Sequence, residues 1–197
     1  LLMNNTFSEI IIDQINKSIE VKQSLVLDKL IVAKINSIAI ECLKALNNGN
    51  KIIFAGNGGS FADAQHLSAE FVSRFRFDRA PLASIVLGTN NSTISAIGND
   101  YGFENIFARE LDGISNLGDI FIPITTSGNS KNIINSISLA KERQIKTFCL
   151  TGKDGGQVKN ICDCVCIPSK DTARIQECHI LVGHIICDLV EREYFKK

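Results

Sequence analysis

His66 and Glu70 stand four positions apart, just after the glycine-rich run Gly56-Asn57-Gly58-Gly59-Ser60. On a helix that spacing puts an imidazole and a carboxylate on one face, where they can move protons or ligate a metal. The apolar run Ile52-Ile53-Phe54-Ala55 predicts a buried strand, and the glycine turn after it predicts a helix start. Backbone N–H groups in such a turn can approach an oxyanion at the positive end of the helix dipole. The run by itself names no ligand. It is neither G-x-G-x-x-G nor the phosphate loop G-x-x-x-x-G-K-[ST], because no lysine follows. A histidine and a glutamate at this spacing also commonly share a plain surface hydrogen bond.

A second polar loop, Thr125-Thr126-Ser127-Gly128-Asn129-Ser130, also leads from an apolar run into a helical pattern. Helix capping needs one hydroxyl, and this loop offers four besides the free N–H groups of a helix start. The surplus suits a phosphate group. The last helical stretch opens with Ala173-Arg174-Ile175-Gln176-Glu177-Cys178-His179, and His184 lies eight residues past Gln176, a little over two turns. His184 has Ile180, Leu181, Ile185, Ile186 and Leu189 around it, a setting in which most histidines are satisfied packing residues.

The elements that must position these groups follow from hydrophobic period. Phe7, Ile11, Ile15 and Ile19, then Leu27, Ile31, Ile35, Ile38, Cys42 and Leu46, predict helices through the first fifty residues, stopped by Asn47-Asn48-Gly49-Asn50. Strands are expected at Lys51–Ala55, Ala83–Leu87, Asp119–Pro123, Thr147–Leu150 and Cys164–Ile167. Helices are expected at Phe61–Phe75, Ser92–Ile97, Phe103–Gly113, Ser130–Arg143 and Thr172–Tyr194. Continuous apolar strands alternating with helices predict an α/β fold: a three-layer αβα sandwich on a five-stranded parallel sheet, with N-terminal helices added. Two segments are expected, a helical one over 1–50 and the α/β domain over 51–197, packed as one structural unit. Sites in such folds gather at the carboxyl ends of the strands, which would bring both polar loops into one crevice.

Composition narrows the class. Of 197 residues 45% are hydrophobic, and 21 basic residues balance 21 acidic ones. That argues against disorder and shows no electrostatic footprint for nucleic acid. No apolar run is long enough to span a bilayer, and no basic region precedes an apolar one at the N-terminus, so neither a membrane anchor nor a secretory signal is expected. Seven cysteines, an odd number, include Cys162, Cys164 and Cys166 on one face of a strand. Without a second spaced pair of the kind zinc sites use, they read as reduced core cysteines of a cytoplasmic protein.

Taken together, GNGGS-x-x-DA-x-H-x-x-x-E, Gly98-Asn99-Asp100, T-S-G-N-S, Leu150-Thr151-Gly152-Lys153-Asp154-Gly155-Gly156 and A-R-I-Q-E-x-H-x-x-x-x-H resemble bacterial phosphoheptose isomerases. These form a branch of the sugar-isomerase (SIS) domain proteins, with a flavodoxin-like sheet, and the likeness runs through nearly the whole chain. The resemblance implies isomerisation of sedoheptulose 7-phosphate to D-glycero-D-manno-heptose 7-phosphate, for heptose synthesis feeding lipopolysaccharide or capsule. It implies a homotetramer with sites at subunit interfaces and one zinc ion per subunit. Substrate contacts carried over fall on Asn57, Gly58, Gly59, Asn99, Asp100, Thr126, Ser127, Ser130 and Gln176, joined by Ser60, Thr125 and Glu70. Metal ligands carried over fall on His66, Glu70, Gln176 and His184. Thr125 stands where many members have serine and keeps the hydroxyl.

The residue types suit that reaction. Moving a carbonyl from C2 to C1 needs a base at C1, an enediolate, and a proton returned at C2; Glu70 is the expected base and His184 the expected proton donor and acceptor. Asp100 and Gln176 would orient sugar hydroxyls, while the Thr125–Ser130 loop holds the phosphate. Zinc ligation would lower the basicity of Glu70, so its two roles compete. A related adaptor that binds the replication initiator has a similar sequence but lacks the family's glutamate and terminal histidine, and this chain keeps both. A sugar-phosphate sensor would need a DNA-binding module, and the N-terminal helices offer no basic recognition helix.

Overall fold

The computed structural model describes the backbone of residues 2–196 and the side chains of residues 6–196. Leu1 and Lys197, the outer limits of the two expected segments, lie outside the described residues. Helices α1 (Leu2–Leu27) and α2 (Lys29–Asn47) come first. Then follow β1 (Ile52–Gly56), α3 (Gly59–Val72), β2 (Ser84–Val86), α4 (Asn91–Tyr101), α5 (Ile106–Ile114), β3 (Ile120–Thr125), α6 (Lys131–Glu142), β4 (Lys146–Thr151), β5 (Asp163–Cys166) and α7 (Thr172–Tyr194). Asp28 separates the first two helices by capping α2, its carboxylate accepting the N–H groups of Leu30 and Ile31.

All strand pairs are parallel, in the order β2-β1-β3-β4-β5. Every residue of β1 and β3 is buried, as expected of strands covered on both faces. One face carries α2, α3 and α7, with Ile38, Leu67 and Val182 packed on Phe54, Ile122 and Leu150. The other carries α5 and α6, with Phe107, Leu111, Ile133 and Ile137 packed on Ile53, Phe121 and Cys149. The αβα sandwich expected from the alternating pattern is thus present.

Element ends shift by a few residues: the helix expected over Phe61–Phe75 spans Gly59–Val72, and that over Phe103–Gly113 becomes α-helical at Ile106. Three further differences matter more. Strand β3 runs on past Pro123, because its partners extend as far: Ile124 pairs with Gly56 and Thr125 with Thr151. Thr125 is therefore the buried last residue of a strand. Helix α4 continues beyond Ile97 to Tyr101, capped by Asn90 and stopped by Gly102, so Asn99 and Asp100 ride on a helix. The periodic face of α1 is bare in the single chain: Phe7, Ile11, Ile15 and Ile19 are 64%, 57%, 55% and 46% exposed.

The switch in strand order falls between β1 and β3, the first strand leading outward to β2 and the third starting on its other side. That arrangement opens a crevice at the carboxyl ends of the two strands. The glycine turn and the hydroxyl loop both leave there.

Candidate active site

Helix α3 buries Ser60, Ala64, Leu67, Ser68 and Phe71, which turns His66 and Glu70 toward the outside of the layer. His66 Nε2 lies 3.0 Å from Glu70 Oε1. From α7, the His184 ring meets the His66 ring edge-on at 4.9 Å. One ligating atom from each of His66, Glu70 and His184 lies within 4.8 Å of the other two. His184 Nε2 is buried without a hydrogen-bond partner. Burial, then the neighbouring His66, holds His184 below the usual histidine range, against the pull of Glu70. Its ring thus combines a buried, unpartnered Nε2 with membership of the trio.

Residues beyond the expected set hold this trio in place. Phe75 stacks on the His184 ring at 5.4 Å between centroids. The Glu191 carboxylate, buried on α7, accepts the N–H groups of Phe75 (2.8 Å) and Arg76 (2.7 Å). Arg79 pairs with Glu191 at 2.9 Å and donates to the carbonyl oxygens of Glu70 and Phe71 at the end of α3. One buried ion pair thus ties the helix that carries Glu70 to the helix that carries His184. Asp63, one turn before His66, has a buried Oδ2 without a partner, and burial lifts its carboxyl above the usual range despite His66.

Across the crevice, the Asn57 and Asn132 side chains exchange two hydrogen bonds of 2.9 Å each, joining the glycine turn to the first turn of α6. Thr125 Oγ1 is 3.4 Å from Ser130 Oγ, and Ser127 Oγ accepts the Asn129 N–H at 3.1 Å. Gly128, at φ +66°, lies against Gly155; a Cβ there would come within 2.1 Å of the Gly155 carbonyl oxygen. The hydroxyl loop therefore packs directly on the Lys153-Asp154-Gly155-Gly156 turn. Between them is a groove of about 280 Å³ lined by Thr126, Ser127, Lys153, Lys170 and Thr172 among others. Asp154 lines it too, its carboxylate 3.6 Å from Lys170 Nζ, which leaves Lys153 as the lysine without an ion pair among those lining the groove.

Gln176 reaches the glycine turn. A Cβ on Gly59 would lie 2.5 Å from its Nε2, so only glycine lets the amide come so close. Gln176 and His184 lie eight residues apart on α7, about 12 Å along the helix axis. Asn99 and Asp100 are exposed on α4 and bond to each other at 2.8 Å. Gly58 is exposed at the head of α3, while Ser60 is buried on its first turn.

The comparisons with known proteins fit this geometry. The SIS domain family model matches residues 17–152. Phosphoheptose isomerase 2 of Campylobacter jejuni is 51% identical over 181 residues, 91% of this chain and 90% of its own length. The phosphoheptose isomerase of Sulfurimonas denitrificans is 50% identical, over 93% of this chain and 94% of its own. The chain belongs to the phosphoheptose isomerases of the SIS-domain family. The solved phosphoheptose isomerase from Neisseria gonorrhoeae superposes with a TM-score of 0.87 at 38% identity, over 94% of this chain and 98% of that one. This phosphoheptose isomerase is accordingly an aldose–ketose isomerase, and the adaptor reading finds no support among relatives that carry the isomerase name at 41% to 51% identity.

Proposed function

We propose that the His66–Glu70–His184 trio and the two loops at the strand switch convert sedoheptulose 7-phosphate to D-glycero-D-manno-heptose 7-phosphate. The observation that carries this reading is the convergence of one carboxylate and two imidazoles, from α3 and α7, in one cluster. Glu70 takes a proton from C1 of the ketose and, after exchange with solvent, delivers one to C2. His184, whose burial disfavours the charged ring, passes a proton between the oxygens on C1 and C2 as the enediolate forms and collapses. Thr126 and Ser127, which line the groove, and Ser130, just before α6, bind the phosphate, assisted by Lys153. Thr125, being buried, supports Ser130 from behind. Asn57, Gly58, Gly59, Ser60 and Gln176 frame the sugar, and Asn99 and Asp100 orient its hydroxyls.

A zinc ion suits the donor set. Two imidazoles and a carboxylate are ordinary zinc ligands, and the unpartnered buried Nε2 of His184 is the kind of atom a metal would satisfy. We assign His66, Glu70 and His184 as its ligands, with Gln176 the more distant fourth named by the family resemblance. When bound, zinc supplies Lewis-acid polarisation of the sugar oxygens. Zinc content measured in His66→Gln and His184→Gln tests the ligand set; full retention in both would refute it.

The bare apolar face of α1 supports a homotetramer, since a stripe of that kind marks a contact with another chain. Sites would then lie near subunit boundaries, with Asn99 and Asp100 completing a neighbouring crevice. We place the protein in the cytoplasm, supplying heptose for lipopolysaccharide or capsule. Among the described residues no helix is long and apolar enough to cross a membrane.

The deciding experiment is proton NMR of sedoheptulose 7-phosphate with the purified protein in D2O, beside Glu70→Gln. Aldose phosphate carrying deuterium at C2, absent in the variant, is the expected result. No conversion, with or without added zinc, would overturn the reading.

A further inference from the structure

Away from the isomerase site, three cysteine sulfurs converge from two strands. Cys149 on β4 lies directly across the ladder from Cys164 on β5, and Cys162 enters from the turn before β5. Their Sγ atoms all lie within 4.8 Å of one another, and those of Cys162 and Cys164 are 3.8 Å apart. All three are free thiols on the sheet face that α5 and α6 cover. Cys166 packs against the same cluster but is not one of the converging three.

Buried cysteines commonly serve as small hydrophobes. Packing, however, asks only that each sulfur touch its neighbours, not that three from separate positions point at one spot. At a metal–sulfur distance of about 2.3 Å, thiolates sharing an ion stand about 3.8 to 4.0 Å apart. One pair here already has that spacing, and the widest need close by only about 1 Å. Thiolate sulfur selects soft ions such as copper(I) and zinc. Zinc in structural sites takes four ligands. Among the described residues no fourth histidine, cysteine, aspartate or glutamate joins this group.

We propose that Cys149, Cys162 and Cys164 form a three-thiolate site for copper(I), separate from the nitrogen- and oxygen-donor trio of the isomerase site. Binding forms metal–sulfur bonds, releases the thiol protons to solvent and leaves the oxidation state of copper unchanged. Cys162, only partly buried, provides the way in.

The test is anaerobic titration of the reduced full-length protein with copper(I) against a chromophoric chelator, following thiolate-to-copper charge-transfer absorption. Uptake of a single ion per chain is expected, unchanged in His66→Gln and weakened at least tenfold in Cys162→Ser and Cys149→Ser. Cys162→Ser alters a partly exposed side chain, so it decides the matter even where Cys149→Ser fails to fold. Absence of uptake, equal uptake by Cys162→Ser, or loss of uptake in His66→Gln would each overturn the site.

Discussion

Asn57 and Asn132 bind each other through two reciprocal amide hydrogen bonds of 2.9 Å, spanning the gap between the loops that leave β1 and β3. Each amide gives one N–H and accepts one, so the pair locks the spacing between the glycine turn and the hydroxyl loop. A sugar phosphate held at both ends reacts only when that spacing is right. Asn132→Ala is expected to lower kcat/KM about tenfold, equivalent to roughly 1.4 kcal/mol of transition-state stabilisation. Asn132→Asp keeps the acceptor and loses the donor, and should fall between. Steady-state kinetics check this, and equal values for all three proteins would contradict it.

Ser127 lines the groove and Ser130 immediately precedes α6, at the proposed phosphate site. Ser127→Ala and Ser130→Ala should each raise KM about fivefold, the value of one neutral hydrogen bond near 1 kcal/mol, while kcat changes little. Unchanged KM in both would move the phosphate elsewhere.

The Arg79–Glu191 pair is almost wholly buried, its side chains 3% and 1% exposed. Arg79→Met strands a carboxylate in the core and should cost about 3 to 5 kcal/mol of folding stability by urea denaturation. Replacing both residues by methionine should recover only part of the loss, because the Phe75 and Arg76 N–H groups would then lack their acceptor. Full recovery would show that those two hydrogen bonds contribute nothing.

His179 is fully buried beneath Thr151, its Nε2 3.2 Å from the Thr151 carbonyl oxygen. Burial pushes its pKa down from the usual 6.5 to about 4. The unfolded chain therefore binds a proton that the folded chain refuses between those values. Stability is full above about pH 6.5 and declines by about 3 kcal/mol as the pH falls to about 4. His184, lowered by the same cause, adds in the same direction. Denaturation midpoints across that range should drop with acid, and His179→Gln should flatten the slope. An identical slope in the variant would place the titration elsewhere.

Much of this molecule was legible in the residue order. The runs around Phe54, Ile122 and Leu150 are apolar on successive positions, which only strands buried on both faces require, and the intervening helical periods imposed a parallel sheet. From that topology alone, the turns after Gly56 and Thr125 had to meet at the strand switch. The pairing of His66 with Glu70 is likewise a property of one helix and its period.

Contacts between distant elements were not legible. Asn132, Phe75, Arg79 and Glu191 look like ordinary helix or loop residues along the chain, and only packing of α3 against α7 and of β1 beside β3 turns them into supports. The cysteines show the same limit: alternation put Cys162, Cys164 and Cys166 on one face, but the partner that completes a converging trio, Cys149, comes from the neighbouring strand. Nor did the periodic stripe of α1 reveal that it faces outward, because a buried stripe and a docking stripe have the same period. The sequence by itself determined the local elements and their order, since those depend on period and turn chemistry within a few residues. The tertiary structure alone decided which side chains share a site, since that depends on the register and packing of segments far apart in the chain.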